Sequence, residues 1–332
     1  MPERMTTKLK HLFERPEITV LPGGTTPYHA ILTEKAGYEG FYMSGGMTSR
    51  WLIGWTDVGA TTLREMADNA NRIAKCINIP VFADIDTGYG TAVNTYRSIK
   101  EYVWAGVAGC HLEDQEFPKK SGTMAGRRLI SIEEMVGKIK AAVDAKKELD
   151  PDFVLVARTD ARGAEGGSLE EVLKRGKIYK EEAGADAIMI DTLQSWEECE
   201  IALKEIPGPT FCLLSAVTTQ RDASGNFIPI LGPTLEEQEK AGQAIALEVP
   251  MNTMSASQAE WELLMDFKER GVQAIYDYRI SIKDRKYQLP TDPLAMTGKQ
   301  VRELEEKYLP KHLQRDYDNT IGAMPDGSTN RP

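Results

Sequence analysis

The sequence predicts an α/β protein of the (β/α)8 TIM-barrel class followed by C-terminal helices. Eight short apolar runs alternate with longer amphipathic ones, without a run of hairpins. Polar residues crowd the C-terminal ends of those apolar runs, where a barrel carries its active site. The length of 332 residues suits one such barrel with terminal extensions.

In order, the strand candidates begin with Thr19–Gly24 (TVLPGG), Gly40–Gly46 (GFYMSGG), Val81–Asp86 (VFADID) and Gly109–Asp114 (GCHLED). Val154–Asp160 (VLVARTD), Ala187–Thr192 (AIMIDT), Thr210–Val217 (TFCLLSAV) and Ala244–Val249 (AIALEV) complete the eight. Helical periodicity falls between them, over Leu63–Ile77, Ala92–Ala105, Ile132–Lys147 and Leu169–Ala183. Parallel strands need such crossovers, and eight units favour closure into a barrel over an open sheet. Ser131 and Ser168 stand where N-caps belong, each followed by two Glu in the first turn. Gly106 and Gly184 stand at helix stops. Residues 1–315 read as one barrel domain with a helical extension after Ser255. Residues 316–332, polar and rich in Gly, Pro and Asn, read as a mobile tail.

Composition excludes several function classes. Lys+Arg 40 against Asp+Glu 50 gives a net charge of −10, with no basic run for nucleic acid. The four cysteines, Cys76, Cys110, Cys199 and Cys212, are widely spaced, so neither a disulfide framework nor a zinc site is indicated. Cys110 and Cys212 sit in apolar runs and read as buried free thiols. The N-terminal stretch is polar, and no apolar run is long enough to span a membrane. The expectation is a soluble cytoplasmic protein.

Asp84 and Asp86 are two apart, so on a strand both carboxylates point to one side. Glu113 ends the neighbouring strand candidate and can join them. Three hard oxygen donors around an open position suit Mg²⁺, with Mn²⁺ as a substitute, better than calcium or zinc. Arg158, at the end of VLVAR, can clamp a carboxylate or a developing enolate with two parallel hydrogen bonds, or form an ion pair with Asp84 or Asp160. Gly45 and Gly46 can let backbone N–H groups approach an oxyanion. The loop at 115–128, QEFPKKSGTMAGRR, is Gly-hinged and basic, suiting a lid over an anionic substrate.

Taken in order, YMSGG, ADIDTGYG, HLEDQ-x-x-PK and ARTDAR resemble the isocitrate lyase/phosphoenolpyruvate mutase superfamily, over roughly residues 8–310. The resemblance implies Mg²⁺ held by Asp57, Asp84, Asp86 and Glu113, with Asp84 the nearest and the others acting largely through water. It implies that Ser44, Gly45 and Gly46 hold the 2-oxo carboxylate end of a substrate and that Arg158 contacts the substrate oxygen. Lys119 through Thr123, and so Lys119, Ser121, Gly122 and Thr123, match the centre of a gating loop. The family is usually a tetramer whose last helix swaps between neighbours, which points to residues 255–270.

The sequence departs from the family pattern in two places. Lyases of the family carry Cys-Gly-His in the gating loop, where the Cys protonates the enolate; here the triplet is Ser121-Gly122-Thr123. A hydroxyl is a far weaker acid than a thiol near pKa 8.5, so protonation of that kind cannot operate. The seventh strand often continues in runs like ANMVEGG; here it reads CLLSAVTT, with Leu213 and Ala216 at the polar positions. The loop length and its GRRLIS exit look most like the methylisocitrate lyase and dimethylmalate lyase branch. The expected function is Mg²⁺-dependent carbon–carbon cleavage of a small 2-hydroxy or 2-oxo acid through an enolate-like intermediate, with Tyr42 a candidate base. The alternatives are an oxaloacetate-type decarboxylase or hydrolase, a phosphonopyruvate hydrolase, or a non-catalytic barrel that binds a 2-oxo acid.

Overall fold

The computed structural model describes residues 3–222, 224, 226–290 and 293–322. Among these, eight parallel strands form one sheet: β1 Thr19–Gly24, β2 Phe41–Met43, β3 Val81–Asp84, β4 Gly109–Glu113, β5 Val154–Thr159, β6 Ala187–Ile190, β7 Thr210–Cys212 and, last in the chain, β10 Ile245–Glu248. The order is β10-β1-β2-β3-β4-β5-β6-β7, each strand beside its neighbour in sequence. A parallel bridge between Thr210 and Gln243, with Ala244 N–H donating to the Thr210 carbonyl at 3.1 Å, brings the two ends together. The result is the near-closed (β/α)8 barrel the alternation predicts.

All eight expected strands are present, but most end earlier than the sequence suggests. The seventh was expected to run to Val217 and stops at Cys212. After it comes an unexpected hairpin, β8 Thr219–Arg221 against β9 Phe227–Pro229. Its turn is built on Asp222, whose carboxylate accepts from the N–H groups of Ser224 and Asn226 at 2.8 Å each. The helix at Ala92–Ala105 has its expected bounds, ending at Gly106 in a left-handed conformation (φ +86°). Ser131 and Ser168 cap as expected, each accepting an N–H at 3.1 Å from Glu134 and Glu171.

The barrel interior is filled, so it offers a floor for a site and no channel. Leu9 and Phe13, from a helix at Met5–Glu14, pack with Leu21, Phe82, Val154 and Phe211 inside it. Phe13 meets Phe82 and Phe211 edge-on at 5.4 and 5.9 Å. Thr6 and Thr7 tie that helix to Asp150 and Asp152 at 2.8 Å. A second apolar cluster, including Ile99, Met135 and Val172, packs the helices against the outer side of the strands. Cys110, Cys199 and Cys212 are buried and free, and Cys76 is half-buried and free.

Contacts divide the chain into Met1–Met254 and Ser255–Pro332. The second unit holds most of a helix at Met251–Arg270, then helices at Val272–Lys283 and Gly298–Tyr308. They leave Trp261, Leu264, Phe267, Val272, Tyr276 and Ile280 exposed. Of the tail expected at 316–332, residues 323–332 lie outside the described residues; within the rest, Tyr317 donates to Glu305 at 2.9 Å. No helix among the described residues is long and apolar enough to cross a membrane.

Candidate active site

The C-terminal rim of the barrel gathers the polar strand ends around a cavity of ≈ 280 Å³. Ser44 follows β2 and caps a helix at Gly45–Ile53, its hydroxyl accepting the Met47 N–H at 3.3 Å. The Gly45 N–H donates to Asp84 Oδ2 at 3.2 Å. A Cβ on Gly45 would lie 2.5 Å from that oxygen, and one on Gly46 2.8 Å from Asp57 Oδ2. The two glycines therefore let a helix N-terminus press against two carboxylates, where its dipole favours negative charge.

Asp84 and Asp86 do meet, but not through strand alternation as the spacing suggested. β3 ends at Asp84, and Asp86 lies beyond it with a left-handed backbone (φ +47°). What joins them is the Asp86 N–H, which donates to Asp84 Oδ1 at 2.8 Å. Tyr89 and Thr192 share this uncommon conformation (φ +61° and +68°), so non-glycine residues with positive φ gather at the rim.

Lys119, which the sequence places on an exposed-looking loop, is almost fully buried. Its ammonium lies 2.6 Å from Asp57, 2.9 Å from Asp86 and 3.7 Å from Glu113. Burial disfavours that charge, but the surrounding carboxylates outweigh it and hold the ammonium's pKa well above its ordinary value. Arg158 is matched as fully. Its fork takes Asp160 with two hydrogen bonds of 3.0 Å, and it also reaches Asp191 at 2.6 Å and Glu113 at 3.3 Å. Of the two ion pairs the sequence allowed, the one with Asp160 is formed, while Asp84 is met instead by the N–H groups of Gly45 and Asp86 and by His111.

Asp114 follows Glu113 and points the other way. It accepts from Thr159 Oγ1 at 2.8 Å, the Asp160 N–H at 3.0 Å, Arg175 at 3.1 Å and Tyr179 at 2.9 Å. This outward carboxylate anchors the backbone that carries Asp160, and through it the guanidinium of Arg158.

The loop at 115–128 lies over the cavity, with Ser121, Gly122, Thr123 and Met124 in its lining. Gln115 exchanges two 2.9 Å hydrogen bonds with the backbone of Lys120, and the Ser121 N–H donates to the Asp57 carbonyl at 3.0 Å. Arg127 donates to the carbonyls of Ser121, Gly122 and Gly163. Arg128 pairs with Glu165 at 3.1 Å. Lys119, Arg127 and Arg128 thus engage this chain's own carboxylates and carbonyls, which neutralises part of the loop's positive charge from within.

Tyr42 lies on the cavity floor, its hydroxyl 2.9 Å from His111 Nε2. Burial, then the charge of Asp84, push the phenol well above its ordinary pKa. In its neutral form the phenol donates an O–H, and His111 Nε2 is the acceptor within reach. His111, whose pKa burial lowers to about 4, is a neutral imidazole 3.7 Å from Asp84. The sequence assigns no role to His111, although its two-residue spacing to Glu113 turns both into the barrel. Asp191, at the end of the sixth strand candidate, joins the site through Arg158. Arg50, Thr56 and Ser215, which also line the cavity, were missed, since an Arg in the last turn of a helix reads as solvated surface.

A divalent cation can be tested against this arrangement. Among the described residues no group of three His, Cys, Asp or Glu is drawn together tightly enough to hold a metal directly. Yet both Glu113 oxygens are buried without a hydrogen-bond partner, Lys119 and Arg158 standing off at 3.7 and 3.3 Å. Burial raises the Glu113 pKa well above its ordinary value and that of Asp86 to about 6. Asp57, Asp86, Glu113, Asp160 and Asp191 share two cations, Lys119 and Arg158, and Asp84 beside them faces His111. Hard oxygen donors in excess of their cations, with buried lone pairs unused, fit Mg²⁺ held partly through water.

Similar proteins agree with this chemistry. A 2,3-dimethylmalate lyase of Eubacterium barkeri is 45% identical over 203 residues, 61% of this chain and 68% of its own. A 2-methylisocitrate lyase of Aeropyrum pernix is 38% identical over 272 residues, 82% of each chain. A phosphonopyruvate hydrolase solved with oxalate and Mg²⁺ superposes with a TM-score of 0.73 at 26% identity, covering 93% of this chain and 100% of that one. The family model for phosphoenolpyruvate phosphomutase matches residues 9–259. With three quarters of its length inside that match, the chain belongs to the phosphoenolpyruvate phosphomutase family and is an enzyme of the isocitrate lyase/phosphoenolpyruvate mutase superfamily.

Proposed function

We propose that this enzyme is a Mg²⁺-dependent lyase that cleaves a carbon–carbon bond in a small 2-hydroxy or 2-oxo dicarboxylic acid. The observation that carries the reading is the set of buried carboxylates and Arg158 lying directly beneath a closed Ser121-Gly122-Thr123 loop. Asp84, Asp86, Glu113 and Asp57 would hold the metal, largely through water, and the bound ion would draw electron density from the substrate's 2-oxygen and adjacent carboxylate. Ser44, Gly45 and Gly46 receive that carboxylate at a helix N-terminus. Arg158, held in place by Asp160, donates to the oxygen on which enolate charge develops. Tyr42 adds an O–H to the same face.

Proton traffic then falls to other groups. Asp57 is the most open of the cavity's three carboxylates, 19% exposed against 4% for Asp84 and Asp191, and takes the substrate's hydroxyl proton through water. Ser121 and Thr123, with hydroxyls 3.1 Å apart, hold the water that returns a proton to the enolate. Ser121 positions and does not donate, since an alkoxide is a costly conjugate base. The absence of a thiol at Ser121 favours a second reading, decarboxylation or hydrolysis of a 2-oxo acid such as oxaloacetate, whose enolate product takes its proton from water and needs no thiol acid.

A panel of dimethylmalate, methylisocitrate, oxaloacetate and phosphonopyruvate, assayed with Mg²⁺ and with a chelator, separates these. The expected result is chelator-sensitive release of a 2-oxo acid from a branched 2-hydroxy diacid. In that reaction Ser121→Ala slows kcat by roughly 10-fold, against the 10²–10⁴ expected for loss of an obligatory acid. Complete loss would make the hydroxyl essential. An unchanged rate would reduce the loop to a lid and favour the second reading, and no turnover with any acid would leave a binding barrel.

We also propose a homotetramer with exchanged C-terminal helices. The exposed Trp261, Leu264 and Phe267 supply the apolar surface such an exchange requires. Sedimentation equilibrium is expected to give four times the 36.9 kDa chain mass, and a monomer would refute it.

A further inference from the structure

The cavity's positive charge is unevenly committed. Of its two cationic lining residues, Arg158 is matched by Glu113, Asp160 and Asp191. The other is Arg50. Its side chain is exposed, lines the cavity, and has no hydrogen bond, ion pair or ring contact among the described residues. It stands in the last turn of the helix whose first residues, Ser44 to Gly46, face the carboxylates. Gly46 and Arg50 are four apart, so they share a helix face, one turn or about 6 Å along the axis.

We propose that Arg50 is the specificity-determining residue that binds a second carboxylate of the substrate, which makes the preferred substrate class a dicarboxylic acid. The inference rests on the reading above, in which Ser44 to Gly46 take the 2-oxo carboxylate end. An acid seated there extends along the helix toward Arg50, whose planar fork accepts a carboxylate with two parallel hydrogen bonds. The other walls offer no cation for that end. Leu213, Val249 and Pro250 are apolar, and Ser215 and Thr56 are neutral. Those apolar walls suit alkyl branches between the two carboxylates.

Calorimetric titration in Mg²⁺ tests this with two probes. Oxalate occupies the inner end alone, while 3,3-difluorooxaloacetate adds a distal carboxylate. Arg50→Ala is expected to bind oxalate like wild type and to bind 3,3-difluorooxaloacetate, the dicarboxylate with a distal carboxyl end, roughly 10- to 100-fold more weakly. Arg50→Lys should recover part of that loss as a point charge without the fork. Equal dicarboxylate affinity in wild type and Arg50→Ala would overturn the proposal. So would an equal loss for both probes, which would mark Arg50 as a general contributor to the field or fold. Failure of wild type to bind oxalate would sink the inner-end reading instead. The dicarboxylate comparison decides the role of Arg50 in either case.

Discussion

The Asp84→Ala enzyme is expected to lose at least about 10³-fold of its Mg²⁺-dependent turnover, about 4 kcal/mol of barrier, while remaining folded. Asp84 touches more of the site than any other carboxylate. It accepts the N–H groups of Gly45 and Asp86 and lies 3.7 Å from His111. Its loss removes a metal donor and frees both the helix N-terminus and the left-handed turn at Asp86. The fold survives, because Asp84 forms no ion pair with Lys119 or Arg158 and its loss is confined to two backbone hydrogen bonds and the approach of His111. Turnover at saturating Mg²⁺, with a thermal melt alongside, checks both halves. Full activity in the variant would refute the metal assignment, and loss of the cooperative melt would show that Asp84 serves the fold and not only the site.

Asp114→Ala is expected to behave in the reverse way, costing about 3–5 kcal/mol of stability because it leaves a buried guanidinium without its carboxylate. Arg175 is 7% exposed and donates to Asp114, the Ile130 carbonyl and Tyr179. Without Asp114 it keeps one carboxylate, Glu171, at the edge of solvent. Asp114→Asn retains an acceptor for Thr159 and the Asp160 N–H, so it should cost less. Urea unfolding measures the difference, and a cost below about 1 kcal/mol for Asp114→Ala would show that the network is dispensable. Residual turnover in the folded fraction should also fall, because the Asp160 backbone that Asp114 holds carries the partner of Arg158.

These two aspartates show what was legible in the sequence. Both end apolar runs beside other acids, and both read as members of one catalytic rim. The expectation held for the rim as a place, because a strand's side-chain alternation is local. It did not distinguish Glu113 facing inward from Asp114 facing out toward Arg175, a residue 61 positions later. The pairing of Asp84 with Asp86 was likewise right in outcome and different in cause, since the strand ends between them. The hairpin at Thr219–Pro229 was unread because three-residue strands are too short to display a period.

What the sequence by itself determined is the barrel, the ring of acids at its rim and the loop that crosses it. Each depends on hydrophobic periodicity or on motifs contiguous along the chain. Only the tertiary structure decided how charge is shared there. Lys119 is taken by Asp57, Asp86 and Glu113, and Arg158 by Glu113, Asp160 and Asp191, while Arg50 is left facing the cavity. The physical reason is that an ion pair depends on a separation of a few ångströms between groups delivered by different strands and loops. In a buried site that distance, rather than the residues' identity, decides which charge is spent on the protein and which remains for a ligand.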